Sequence, residues 1–164
     1  MTTTKPAATG SYTWSLQSAS GSVSRVAHQI DLYVDKDPNS LHQVAFLQGK
    51  AHIVDPPYVQ EELVLVFPIP PEGSFNGTIA IAPSEQSAHV YFMRGLDDVN
   101  KPIGGTAIGG QVYIQLDTAE NLSGNMTGVF SPTLSFTSNF DLRQLPRKPL
   151  SKELKGLFEA FKTQ

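Results

Sequence analysis

Asp35, Asp37 and Asn39 stand at the first, third and fifth places of a calcium-binding loop, where hard oxygen ligands would converge on the ion. The rest of that loop is missing. Ser40 takes the place of the required glycine and Phe46 that of the bidentate glutamate, so Asp37-Pro38-Asn39-Ser40 reads as a polar turn. Gly104-Gly105-Thr106-Ala107-Ile108-Gly109-Gly110 has the glycine content of a phosphate-cradling loop. No Lys-Ser/Thr pair follows it, however, and Gln111 opens a strand pattern, so no helix N-terminus faces a phosphate.

The remaining chemistry-bearing residues are equally scattered. His28, His42, His52 and His89 lack the short spacing of a zinc site and read as solvent-facing imidazoles on strands. Glu61-Glu62 and Asp97-Asp98 are adjacent pairs. On a strand, neighbouring side chains point to opposite faces, so neither pair is a ready acid/base couple, and both read as solvated charges. No Gly-x-Ser-x-Gly elbow occurs. The absence of Cys removes thiolate nucleophiles, disulfides and Cys-ligated metals together. The sequence therefore assigns no catalytic, cofactor or metal residue, and a non-enzymatic role is expected.

The elements that would position any site follow from periodicity. Tyr12, Trp14 and Leu16 alternate with polar residues, as do Ile30, Leu32 and Val34, then Phe75, Gly77, Ile79 and Ile81, then Val112, Ile114 and Leu116. Leu134, Phe136, Ser138, Phe140 and Leu142 complete the series. Leu63 to Phe67 is a continuous apolar run, as expected of a strand covered on both faces, and residues 88–94 are also apolar on both sides. Between Phe46 and Gly49 the apolar pattern changes parity, which predicts a β-bulge near Leu47 to Gly49. Gly95 to Gly110, with five glycines, predicts a long mobile loop. About nine short antiparallel strands result, which favours a mainly β fold, a β-sandwich or a barrel.

Charge divides the chain near residue 142. Residues 1–142 hold six Lys/Arg against thirteen Asp/Glu, whereas residues 143–164 hold six against two. The tail spaces Leu150, Leu154, Leu157, Phe158 and Phe161 as one stripe of an amphipathic helix, with Ser151 as its N-cap. The division predicts a disordered segment 1–10, a β domain 11–142, and a basic linker with a C-terminal α-helix over 143–164. Docking of that helix on the body is favoured over a contact with a partner, and both over membrane contact, because Glu153 and Glu159 interrupt the basic face.

Charged residues make up only 16% of the chain, against about 25% in typical soluble domains, so solubility leans on Ser, Thr, Asn and Gln. The acidic body repels phosphates, and nucleic-acid binding is not expected. The opening residues MTTTKPAATG lack the apolar core of a secretory signal, and no apolar stretch of about 18 residues occurs, so a cytoplasmic protein is expected. Gln48-Gly49-Lys50-Ala51-His52-Ile53 leading to Pro56-Pro57, then Gly73-Ser74-Phe75 and His89-Val90, resembles a family of small bacterial β domains of unknown function. The resemblance spans residues 30 to 95, implies a bacterial source, and carries no activity or site.

Two functional expectations remain. The first is a binding or self-associating β domain, with contact residues Tyr91, Met93, Gly104, Gly105 and Ile108 on a two-faced strand and its neighbouring loop. The second is a calycin-like barrel whose cavity, lined by Trp14, Phe46, Phe67, Phe92 and Phe136, takes a small apolar ligand. An enzyme without a recognisable motif is the third.

Overall fold

A computed structural model describes residues 9–36, 43–53, 59–70, 73–82, 87–96 and 103–149, with positions 152 and 156. The strands are β1 (Thr9–Ser18), β2 (Gly21–Val26), β3 (Gln29–Lys36), β4 (Gln43–Ile53), β5 (Val59–Ile69), β6 (Phe75–Ala80), β7 (His89–Leu96), β8 (Ile103–Thr106), β9 (Gly109–Leu116), β10 (Leu122–Ser131), β11 (Leu134–Arg143) and β12 (Arg147–Pro149). They form two six-stranded sheets. The first, in the order β2-β1-β11-β10-β9-β6, is antiparallel throughout. The second, β12-β3-β4-β5-β7-β8, is antiparallel except for the parallel pair of β12 with β3. The strands therefore do not close into a barrel.

Alternation sends Tyr12, Trp14, Ile114, Met126, Phe136 and Phe140 of the first sheet into the same core as Leu47, Leu63, Leu65, Phe67 and Phe92 of the second. The rings meet edge to face, with Tyr12 at 5.5 Å from Trp14 and 6.0 Å from Phe140. The Tyr12 hydroxyl donates to the Leu63 carbonyl at 3.3 Å, tying the sheets together from inside.

The chain changes sheets at tight corners. Ala27 N–H donates to the Tyr12 carbonyl in one sheet and His28 N–H to the Lys50 carbonyl in the other. The return corner is similar: Ala107 N–H bonds Val90, and Ile108 N–H bonds Val129. Consecutive amides thus keep partners while the chain crosses over.

Several expectations are corrected. Twelve strands are described, because β2 joins those read from periodicity, β8 forms within the expected loop and β12 within the expected linker. Part of the predicted Gly95 to Gly110 loop is ordered as β8, paired in register with β7 from Tyr91↔Thr106 to Arg94↔Ile103. Residues 97–102 lie outside the described residues. The predicted bulge in β4 is also absent, since β4 pairs without interruption with β3 and β5. Its inward set is Ala45, Leu47, Gly49 and Ala51 throughout, and Gly49 is required by close approach: a Cβ there would lie 2.8 Å from Tyr12 and 3.1 Å from Trp14. Val44 and Phe46 face the other way, into a second apolar cluster on the outward face with Val64, Val66 and Tyr91. The turn at 37–40, residues 1–8 of the expected disordered segment 1–10 and the expected C-terminal helix apart from positions 152 and 156 fall outside the described residues, while Thr9 and Gly10 open β1. No described helix is long and apolar enough to cross a membrane.

A buried charge cluster and the candidate contact residues

Glu61 shares its parity on β5 with Leu63, Leu65 and Phe67, so its carboxylate projects into the space between the sheets, where it is fully buried. Two cross-strand pairs meet around it: Trp14 lies opposite Arg25 in the first sheet, and Glu61 lies opposite Arg94 in the second. Trp14 Nε1 donates to Glu61 Oε1 at 2.6 Å. Arg25 Nε donates to Oε2 at 3.2 Å, and Arg94 reaches the same oxygen through Nε at 3.1 Å and Nη2 at 2.8 Å. Three of these four bonds converge on Oε2 and one reaches Oε1. The Arg94 guanidinium also lies 5.7 Å from the centre of the Phe92 ring.

This arrangement suits a lock between the sheets better than proton transfer. The carboxylate is held by an indole N–H and two guanidinium groups from both sheets, and its buried charge is compensated twice. The two arginine side chains remain 20% and 33% exposed, so the cluster reaches solvent with one net positive charge. The expectation of solvated charges at 61–62 is thereby corrected. The two side chains do take opposite faces, yet Glu62 is also buried, on the outward side, with Gln60 donating to it at 3.1 Å and the Lys50 ammonium ion-paired with it at 3.9 Å.

On that outward face Lys148 of β12 donates to Asp31 Oδ1 at 2.6 Å and Gln29 donates to Oδ2 at 2.9 Å. Burial pushes the Asp31 carboxyl up, but the Lys148 and Gln29 hydrogen bonds outweigh it and hold the group below the usual carboxylate range. The hydrogen bond to Asp31 in turn raises the Lys148 ammonium. Burial pushes the Tyr12 phenol up. His28 and His52 stack at the first corner with ring centres 4.1 Å apart, and partial desolvation, then His52 and Lys50, lower the His28 imidazole. Among the described residues no three His, Cys, Asp or Glu side chains converge as a metal site.

The expected contact residues do not form one site. Tyr91 is buried in the outward cluster of the second sheet, and Met93 is half-buried opposite Gly104. Gly104 and Gly105 belong to the edge strand β8. Ile108 is 60% exposed at the return corner, hydrogen-bonded to Val129, which is 39% exposed. The five cavity residues separate as well. Trp14, Phe67, Phe92 and Phe136 lie in the shared core, whereas Phe46 is on the far side of its sheet. Within the core Phe130 bridges Phe92 at 5.6 Å and Phe136 at 4.7 Å, so these rings pack against one another.

Sequence reasoning missed Glu61, Arg25 and Arg94. The available signal was parity: Glu61 falls in step with Leu63, Leu65 and Phe67, and an inward acid of that kind requires a cationic partner. No family model, no curated protein and no solved structure matches this chain.

Proposed function

We propose that this chain is a non-enzymatic β-sandwich that binds a protein partner, foremost a second copy of itself, at the corner joining β8 to β9. The observation that carries this reading is the exposure of Ile108 and Val129 on hydrogen-bonded neighbouring segments. The adjoining strand β8 is a sheet edge with glycines at 104 and 105, whose lack of side chains leaves its backbone approachable. Burying one such aliphatic side chain contributes at most about 1.5–3 kcal/mol, which corresponds to about one to two decades in affinity.

The test is sedimentation velocity over a concentration series. The native chain is expected to self-associate, and Ile108→Asp to weaken that association at least about tenfold with an unchanged thermal midpoint. Association that survives Ile108→Asp overturns this placement, and a native chain that stays monomeric at every concentration overturns self-association.

A further inference from the structure

The outward face of the first sheet is almost uncharged and, apart from Val26, Ala80, Tyr113 and Val129, polar; its side chains are exposed or half-buried. One register row runs Ser24, Ser15, Thr137, Thr127, Gln111 and Ala80 across all six strands. In the next row Thr13, Asn139, Asn125 and Tyr113 lie side by side, flanked by Val26 and Thr78. At about 4.8 Å between strands, each row spans about 24 Å. The only charged residues in these strands are Arg25, which turns inward to Glu61, and Asp141 and Arg143 near the end of β11.

Toward the ends of these strands the polar groups pair with one another, Ser123 donating to Gln115 and Ser135 to Gln17, whereas the two central rows keep groups with no partner among the described residues. Ser15 pairs with Ser24 and the Tyr113 hydroxyl donates to Asn76, but among the described residues no hydrogen bond engages the side chains of Thr127, Thr137, Asn125, Asn139 or Gln111. Asn125, Asn139, Thr127 and Gln111 are exposed although their strands occupy interior positions in the sheet.

We infer that this face is a docking platform for an uncharged polysaccharide. The argument is complementarity of charge and of hydrogen-bonding character. An apolar partner would strip water from amides and hydroxyls without replacing their bonds, which is unfavourable. A strongly charged partner would find no opposite charge in the two central rows. A neutral chain of hydroxyls offers donors and acceptors together and demands no counter-charge. The side amides of Asn125, Asn139 and Gln111 present both functions in a plane, and the Tyr113 ring supplies an amphipathic surface beside them.

The inference is independent of the corner at Ile108. Its test is retention of the full chain on insoluble cellulose, chitin, β-1,3-glucan and starch at low and high salt, with Asn125→Lys and Asn139→Lys compared with the native chain. The expected result is retention on at least one of the four, insensitive to salt, reduced at least about tenfold in both variants at an unchanged thermal midpoint, and untouched by Ile108→Asp. The inference is overturned if none of the four retains the native chain, if the lysine variants are retained equally well, or if high salt releases the protein. It is also overturned if the lysine variants abolish self-association instead, since the occupant would then be a second copy.

Discussion

The two sheets have six strands each and share one core, yet their outward faces differ in every respect that water can impose. On the first sheet the outward side chains are mostly Ser, Thr, Asn and Gln, and Gln111, Asn125, Thr127 and Asn139 on its interior strands are exposed. On the second, Phe46, Val64, Val66 and Tyr91 are buried, and the charges among them are paired, Lys148 with Asp31 and Lys50 with Glu62. The pleat alone supplies only the alternation. What lies beyond each face decides whether alternate residues are polar, as on the first sheet, or apolar and ion-paired, as on the second.

The comparison is broken most severely at the one place where the sheets exchange charge. Glu61 of the charged sheet compensates Arg25, the inward arginine of the neutral one. Glu61→Ala removes the only carboxylate bound to Arg25 and Arg94 among the described residues, and loss of one partner from a buried pair costs about 3–5 kcal/mol. The expected value lies at the lower end, because both arginines reach water. Glu61→Gln, which keeps an acceptor for Trp14, is expected to lose less. Urea denaturation checks both; a loss below about 1 kcal/mol for Glu61→Ala would mean that the cluster contributes nothing as a lock.

Next in size is the contrast between the outward faces themselves. Phe46→Ala removes a buried ring on the second sheet and is expected to cost about 3 kcal/mol, toward the lower end for such truncations. Thr127→Ala, at an interior strand of the first sheet, is expected to stay within about 0.5 kcal/mol. Equal losses at the two positions, measured by the same denaturation curves, would show that the faces do not differ energetically.

The same contrast explains how much of the fold could be read from the sequence. Strands β1, β9 and β11 face water on one side, and their Tyr12-Trp14-Leu16, Val112-Ile114-Leu116 and Phe136 to Leu142 patterns give both existence and orientation. In β4 both faces are withdrawn from water, so Phe46 looked as inward as Leu47, and an uninterrupted strand was read as bulged. Strand β2 was missed because Ser22, Ser24 and Val26 sit on the exposed side of an edge strand and carry no apolar period. The Glu61 cluster was illegible for another reason: its members come from β1, β2, β5 and β7, and their convergence depends on how the sheets face each other.

The smallest effect concerns the ion pair by which β12 joins the second sheet. Asp31 titrates below its usual value of about 3.9 in the folded chain, so between the two values the unfolded chain binds more protons. Its contribution is therefore complete above about pH 3.9 and is lost as the pH falls through the folded value. Lys148 works in the opposite direction: its raised value makes its contribution complete below about pH 10.4 and lost as the pH rises through the folded value. Because the Lys148 side chain is 50% exposed, solvent screening keeps the pair below about 1 kcal/mol. Asp31→Asn should flatten the acid limb of the stability profile by that amount, by lowering stability at neutral pH while leaving it unchanged in strong acid. If the acid limb keeps its slope in Asp31→Asn, the acid sensitivity of the fold resides in other carboxylates, and β12 is held to β3 by its backbone pairing through Arg147–Pro149.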